Sequence, residues 1–238
     1  MLLYKFKSLA NWDHARDLLE GNRLYCPQYG QLNDPFEGQL RHFRAYPERS
    51  LFAAATGITG SLTTIDLSEL PNLCADVIDR NRICSLSAAA SDVRMWSLYA
   101  DSHRGIAVEI EKKPDDQWVQ VNYSADLPSA ECALGAAEVD EFEVRRILSS
   151  KTQHWEYEQE WRIFSDSEHF QCADRIKRVI LGPRCTEDHA DRLRAIAPGI
   201  SVVKAHLSHS AAEVVMPSRE APPLPILRRR IEEPRSPG

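Results

Sequence analysis

Residues 155–164 read WEYEQEWRIF, an alternation of charged side chains with aromatic, apolar or amide side chains. A period of two is typical of a β-strand, because successive side chains of a strand point to opposite faces of its sheet. The pattern predicts a strand over about residues 157–164, with a buried apolar face and a charged face. The charged face would carry Glu156, Glu158, Glu160 and Arg162. Since like charges in such a row repel one another, we expect this face either to line a cleft or to lie in solvent.

A second informative block precedes this strand. Residues 83–87 and 105–110 have the apolar patterning of two strands. Between them, Ser91 or Asp92 is suited to cap a short helical turn. The turn carries on one face the side chains of Met95, Trp96 and Tyr99. The block therefore predicts a strand, a helical turn and a further strand.

The rest of the chain alternates irregularly between strand and helix patterns. The predicted strands cover residues 1–7, 23–26, 118–123, 178–182 and 200–207. The predicted helices follow Asn11 or Asp13 and Thr186, and also cover residues 136–150 and most of residues 39–80. Residues 28–38 are predicted as a loop, because Asn33-Asp34-Pro35 favours a turn. This order predicts an α+β fold with a mixed or antiparallel sheet flanked by helices.

Length and composition favour one globular unit followed by a tail. The chain has 238 residues, of which 43% are hydrophobic, and this is enough for one good core. We expect a single domain over residues 1–216. Residues 217–238 contain six prolines and the basic run Arg228-Arg229-Arg230, a composition that predicts a flexible tail.

Charge, cysteine spacing and hydropathy argue against several classes of protein. A formal charge of -6 and a pI near 5.8 are unlike a generic nucleic-acid binder, which needs a basic surface. The six cysteines form no CxxC pair, so they indicate neither a zinc ribbon nor a disulfide scaffold. The sequence shows no secretory signal pattern and no run of about 18 apolar residues. We therefore expect a cytoplasmic protein that does not contact membranes.

Four blocks are polar or aromatic where a plain core element does not require it. They are residues 4–7, 33–36, 85–105 and 155–162. Each block also has a purely structural explanation: the first fits an edge strand, the second a turn, the third a core-facing helix and the fourth a solvated strand. No block is decisive alone.

In the same order, these blocks resemble the bacterial family catalogued as domain of unknown function 2971. The resemblance spans about residues 1–207 and rests on YKF, NDPFEG, CSLS…MWSLYADSHRGIAVEI and WEYEQEWRIF, followed by a VILG strand. Leu98 departs from the pattern, since the family would place a polar residue, often His, there. The family name carries no activity, so the function must come from the site.

The arrangement is also similar to that of mono-ADP-ribosyltransferases, which combine a basic or aromatic residue on the first strand, a serine-bearing middle strand and a late Glu-x-Glu. This similarity implies that Tyr4 or Lys5 contacts NAD⁺ as the substrate. It also implies that Ser87, together with Ser85, supports the site.

The same similarity makes Glu160 the catalytic carboxylate and gives Glu158 the role of orienting the accepting nucleophile. The chemistry suits these residues, because cleaving nicotinamide from ribose builds oxocarbenium-like positive charge that a fixed carboxylate stabilises. A neighbouring carboxylate would raise the pKa of its partner and suit it to accept a proton. The acceptor of ADP-ribose is not indicated.

Further side chains are implied as ligand contacts. Nicotinamide would stack on Trp96, Tyr99 or Tyr157. Pyrophosphate would bind Arg104. The other implied contacts and lining residues are Arg162, Asn33, Asp34 and Phe36. No metal is expected for this chemistry.

Two alternatives remain open at this point. Asp34, Glu158 and Glu160 could instead hold Mg²⁺ or Mn²⁺ in a nuclease or hydrolase. The blocks could also belong to a non-catalytic binding module of a defence system. In a toxin or phage-defence setting, we expect a cognate antitoxin or immunity protein as a partner.

Overall fold

The computed structural model describes residues 1–37, 42–47, 63–65, 81–134 and 141–218, and for residues 42–47, 63–65 and 130–134 it describes the backbone alone. Within these ranges the fold is α+β, as predicted, with a mixed seven-stranded sheet flanked by helices. The strands are β1 (Leu2–Lys7), β2 (Arg23–Tyr25), β3 (His42–Pro47), β4 (Thr63–Ile65), β5 (Arg82–Ser87), β6 (Ile106–Glu111), β7 (Val119–Gln120), β8 (Asn122–Ser124), β9 (Ser129–Leu134), β10 (Ser150–Thr152), β11 (Glu160–Ser165), β12 (His169–Gln171), β13 (Ile176–Leu181), β14 (Ser201–Lys204), β15 (His206–Leu207) and β16 (Val214–Val215). The α-helices are α1 (Trp12–Leu19), α2 (Val93–Tyr99), α3 (Glu141–Ile147) and α4 (Glu187–Ile196). Shorter 3₁₀ helices cover Tyr29–Gln31 and Gln153–Glu158.

The main sheet has β1 at its centre and the strand order β14-β13-β6-β1-β5-β11-β7. The β13–β14 pair is parallel and the other neighbours are antiparallel. Alternation along β1 separates two cores: Leu3 packs with α1 and α4 on one face, and Phe6 packs against Trp96 of α2 on the other. The sheet is therefore covered by helices on both faces. No helix in the described ranges is long and apolar enough to cross a membrane.

Side chains fix where three of the helices begin. Asn11, Asp92 and Thr186 each accept a hydrogen bond from a backbone N–H in the first turn of α1, α2 and α4. Such caps satisfy N–H groups that have no acceptor inside the helix. All three residues are among the caps that the sequence predicts.

A divergence between β1 and β5 opens the main sheet. β1 opposes β6 at six residue pairs, but it opposes β5 at the single pair Tyr4 and Ser87. Next to that pair, the Lys5 ammonium donates a hydrogen bond to the Ser85 carbonyl at 2.8 Å. A side chain thus satisfies a backbone group that the strand ladder does not, and a cavity lies in the opening.

The predicted start of the charged strand is wrong. Gln153–Glu158 form a 3₁₀ helix, Gln159 has a left-handed backbone (φ 43°, ψ 53°), and β11 begins at Glu160. An alternating sequence does not reveal this break, because one left-handed residue can turn a chain without a change in composition. The predicted strand is confirmed from Glu160 to Phe164.

The two long predicted helices also need correction. In the region 39–80, the described residues 42–47 and 63–65 are strands, and the rest lies outside the described ranges. Cross-strand pairing with β9 and β4 outweighs the weak helical pattern there. The helix predicted over 136–150 is the shorter α3, followed by β10; residues 135–140 are not described. The predicted tail is described only as far as residue 218.

Candidate functional site

A cavity of about 210 Å³ occupies the opening between β1 and β5. β11, α2 and the segment around Tyr29–Gln31 complete its walls. Its polar and charged lining consists of Tyr4, Lys5, Gln31, Asn33, Glu37, Ser85, Ser87, Tyr99, Lys151, Glu158 and Glu160. Six apolar residues complete the lining, and convergent polar groups beside apolar walls are a common feature of ligand sites.

The register between β5 and β11 sets the serines opposite the charged residues. Glu160 opposes Ser87, and Arg162 opposes Ser85. The Ser87 hydroxyl donates to the Glu158 carbonyl at 2.5 Å and accepts from the backbone N–H of Ala89 at 2.9 Å. Ser87 therefore anchors the end of the 3₁₀ helix against β5.

Glu158 reaches the cavity through the turn at Gln159 and not through strand alternation. Both Glu158 and Glu160 line the cavity, whereas Glu156 is exposed. Both faces of β11 are buried: Ile163 packs in the core as expected, and on the charged face the Glu160 and Arg162 residues are only 3% and 0% exposed. The charged face can be buried because its charges pair with each other and with residues from other segments.

Five buried charged side chains form a connected network beside the cavity. Lys151 Nζ donates to Glu158 Oε2 at 2.7 Å and to Glu160 Oε2 at 3.2 Å. Arg162 Nε donates to Glu160 Oε1 at 2.9 Å, and Arg162 Nη2 donates to Glu37. Three carboxylates against two cations leave a formal surplus of one negative charge when all five groups are ionised.

Tyrosine hydroxyls hold the two central glutamates from either side. The Tyr99 hydroxyl donates to Glu158 Oε1 at 2.5 Å and accepts from the Asn33 amide. The Tyr123 hydroxyl accepts from the backbone N–H of Glu160 at 2.8 Å. Each carboxylate oxygen of Glu158 and Glu160 therefore has a protein donor, and the pair is fixed in place.

Burial and ion pairing oppose each other in setting the charges. Burial is the largest influence and raises the pKa of Glu160, which Lys151 only partly offsets. Burial also acts against the charge on Lys151, but Glu160 and Glu158 outweigh it and raise the pKa of Lys151. Burial lowers the pKa of Arg162 to about 9. Both cations therefore stay charged near neutral pH.

Two buried carboxylate oxygens near this network have no hydrogen-bond donor within the described part of the chain. They are Glu37 Oε2 and Asp34 Oδ2; the other oxygen of Asp34 accepts from the backbone N–H of Phe36 at 3.0 Å. A buried acceptor without a donor costs about 1–3 kcal/mol. Because Glu37 lines the cavity, a ligand that donates a hydrogen bond would remove this cost.

The structure brings a subset of the predicted site residues together. Those that line the cavity are Tyr4, Lys5, Asn33, Ser85, Ser87, Tyr99, Glu158 and Glu160. Those that do not line it are Asp34, Phe36, Trp96, Arg104, Tyr157 and Arg162.

Burial and local contacts explain the second group. Trp96 is a core residue and not a stacking platform, because it is fully buried and its indole N–H donates to the Ala90 carbonyl. Tyr157 packs under the Arg94 guanidinium at 4.0 Å. Arg104 is exposed in the turn after α2. None of these three residues lines the cavity. The predictions that nicotinamide stacks on Trp96 or Tyr157 and that Arg104 binds pyrophosphate therefore do not fit the structure.

Sequence reasoning missed two residues of the network. Glu37 directly follows the block 33–36. Because that block is predicted to lie at the site, its next residue is a candidate that the sequence offers. Lys151 belongs to no recognisable sequence motif. It reaches the glutamates because it lies on β10, which leads directly into the 3₁₀ helix.

A larger cleft of about 750 Å³ adjoins the cavity. Tyr4 lines both of them. The cleft also contacts Ala88 and Gln159, which are the chain neighbours of the cavity residues Ser87 and Glu158. Its polar wall includes Asp92, Arg94 and Glu213. The two spaces therefore lie on either side of the same strand ends.

The carboxylates of the site are separated by cations. In the ranges that the structure describes, no three His, Cys, Asp or Glu side chains group as a metal site.

No protein-family model matches the chain, and no match is found among curated proteins or solved structures.

Proposed function

We propose that the protein is an ADP-ribosyltransferase-like enzyme, which cleaves the bond between nicotinamide and ribose in NAD⁺ and transfers ADP-ribose to an acceptor. One observation carries the proposal: adjacent strands β1, β5 and β11 bring Lys5, the serine pair and Glu160 to one cavity. Glu158 joins them through the 3₁₀ turn. This is the combination of residue types that the chemistry needs.

The carboxylates supply the electrostatic part of the mechanism. Loss of nicotinamide leaves positive charge on the ribose, and a fixed negative group stabilises that charge as it develops. Glu160 is held by Lys151 and Arg162, so its charge is already oriented before substrate binds. Glu158 exchanges its Tyr99 contact for the attacking group and accepts its proton.

The available space fits a ligand in two parts. The 210 Å³ cavity is below the roughly 300–1,000 Å³ of usual ligand pockets. It has room for only part of the nicotinamide-ribose end, whose carboxamide or hydroxyls can donate to Glu37. The adjoining cleft of about 750 Å³ takes the remainder of the dinucleotide, and Arg94 in its lining is a cation that can bind phosphate.

A specific observation favours a second candidate, a binding module without catalysis. The oxygens of Glu158 and Glu160 are already occupied by protein donors. A purely structural network would have this property too. In that case the cavity binds its ligand without altering it.

Incubation with NAD⁺ labelled in either the nicotinamide or the adenosine part tests the proposal. Cell extract is included to supply acceptors, and parallel reactions contain Mg²⁺ or a chelator. We expect release of labelled nicotinamide and transfer of the adenosine label, with the same rate in both parallel reactions. Unchanged NAD⁺ that nevertheless binds would support the binding module, and neither binding nor turnover would overturn both candidates.

A further inference from the structure

A separate cavity of about 320 Å³ lies beside the end of β1, next to α1 and the β2–β12 pair. Leu18 and Leu24 give it an apolar base, and both are almost completely buried. Acidic and imidazole side chains surround that base. None of its lining residues belongs to the proposed NAD⁺ site.

Lys7 is the unusual side chain of this cavity. It is half-buried, and no residue in the described ranges takes a hydrogen bond or ion pair from its amine. The acids nearby are engaged elsewhere: Asp13 pairs with Arg16, and Asp17 pairs with Arg23. The amine of Lys7 is therefore free to react with a molecule in the cavity.

The surroundings favour the neutral form of this amine. Burial, followed by the neighbouring Lys5, lowers the pKa of Lys7 to about 8, although Cys84 and Asp17 act in the opposite direction. The remaining ionisable lining groups are Asp13, His14, Arg23, Tyr25, Glu168 and His169. A neutral amine is nucleophilic, and lysines activated in this way form imines with carbonyl compounds.

We propose that this cavity is a second site, in which the Lys7 amine holds a small, uncharged, hydroxylated aldehyde or ketone as an imine. The nitrogen attacks the carbonyl carbon, the C–O bond breaks, and the oxygen leaves as water with the two amine hydrogens. His169 lines the same cavity, with its Nε2 3.4 Å from Asp17 Oδ2, and in this proposal it carries protons between these steps.

The size and charge of the cavity set the ligand class. At about 30 Å³ for each water-sized group, 320 Å³ holds roughly ten non-hydrogen atoms, the size of a small sugar. Three carboxylates in the lining disfavour an anionic carbonyl compound and can accept hydrogen bonds from hydroxyls. The inference does not depend on the NAD⁺ proposal.

Trapping with glyceraldehyde and sodium cyanoborohydride tests the proposal on the full chain at pH 7.5. Peptide mass spectrometry then compares Lys7 with Lys177, an exposed lysine paired with Glu111. We expect Lys7 to be labelled at least about tenfold faster, because the cavity holds glyceraldehyde beside an amine whose pKa of about 8 is close to this pH. We also expect its labelling to saturate with glyceraldehyde concentration, while that of Lys177 rises linearly.

Equal labelling rates, or a linear dependence at Lys7, would overturn the proposal. Lys7→Arg keeps a positive charge but should abolish the saturable component, and Lys177→Arg should leave it unchanged. If Lys7→Arg fails to fold, the ratio of labelling rates at Lys7 and Lys177 in the wild-type protein still decides the question.

Discussion

At the scale of single residues, two cations hold three buried carboxylates in one network. Taking charges out of water is costly, and pairing compensates only when the contacts are close. Lys151 makes two such contacts, at 2.7 and 3.2 Å, with the two central glutamates. It is therefore the residue whose removal should disturb the site most.

Replacing this lysine gives the first prediction. Lys151→Met should lower the free energy of unfolding by about 3–5 kcal/mol, because it leaves two buried carboxylates without their shared cation. Lys177→Met is the matched control, since it breaks an exposed pair that is worth about 0–1 kcal/mol. Urea unfolding measures the stability of both variants. Equal losses of unfolding free energy would show that the buried network contributes no more to stability than an exposed ion pair.

The lowered pKa of Lys7 gives a second prediction, which concerns how the unfolding free energy depends on pH. Its pKa in the folded protein is about 8, below its ordinary value of 10.5. Between these values the unfolded chain binds more protons than the folded one, so stability rises with pH across this window. Wild type should gain on the order of 1–3 kcal/mol relative to Lys7→Met between pH 8 and pH 10.5. A constant difference in unfolding free energy would contradict the lowered pKa.

At the scale of secondary-structure elements, the sequence predicts best where one pattern covers a whole element. β5, β6 and β13 are correctly predicted because each contains apolar residues that are buried within the main sheet. The segment 153–165 is predicted only in its second half, since the 3₁₀ helix and β11 share one alternating pattern. The break depends on the backbone of Gln159, which composition does not encode.

The left-handed residue between these elements gives a third prediction. A non-glycine residue in this conformation costs about 1–2 kcal/mol, and the Gln159 side chain is exposed. Gln159→Gly should therefore raise the unfolding free energy by up to about 1 kcal/mol, after the entropy cost of glycine is subtracted. Gln159→Ala keeps the strain and should show no such gain in thermal unfolding. A loss of stability in Gln159→Gly would place the glutamine side chain in a contact that matters.

At the scale of the whole molecule, the order of the strands assembles the site. The sequence predicts that Ser85, Ser87 and Glu160 face one cleft, and the β5–β11 register brings them together. It does not predict Lys151 or Glu37, because their positions depend on long-range packing of short segments. Trp96 was misjudged for a related reason: a helical aromatic residue has the same pattern in a core as in a binding site.

The end of the described chain gives a fourth prediction. Val214 is fully buried, and the Pro217 carbonyl accepts a hydrogen bond from Arg178 at 2.8 Å. A chain ending at Ser218 should therefore keep the melting temperature of the full protein. A chain ending at Ala212 loses the buried valine and should melt several degrees lower. A large drop in melting temperature for the chain that ends at Ser218 would mean that residues 219–238 contribute to stability.

The rate of nicotinamide release from NAD⁺, compared between Glu160→Gln and Glu156→Gln, tests the central claim most directly. Both changes remove one negative charge and keep the side-chain shape, but only Glu160 lines the cavity. Circular dichroism first establishes that both variants fold. The account predicts a loss of about 100-fold or more for Glu160→Gln and the wild-type rate for Glu156→Gln. Equal rates in two folded variants, or no release by the wild-type protein, would contradict it.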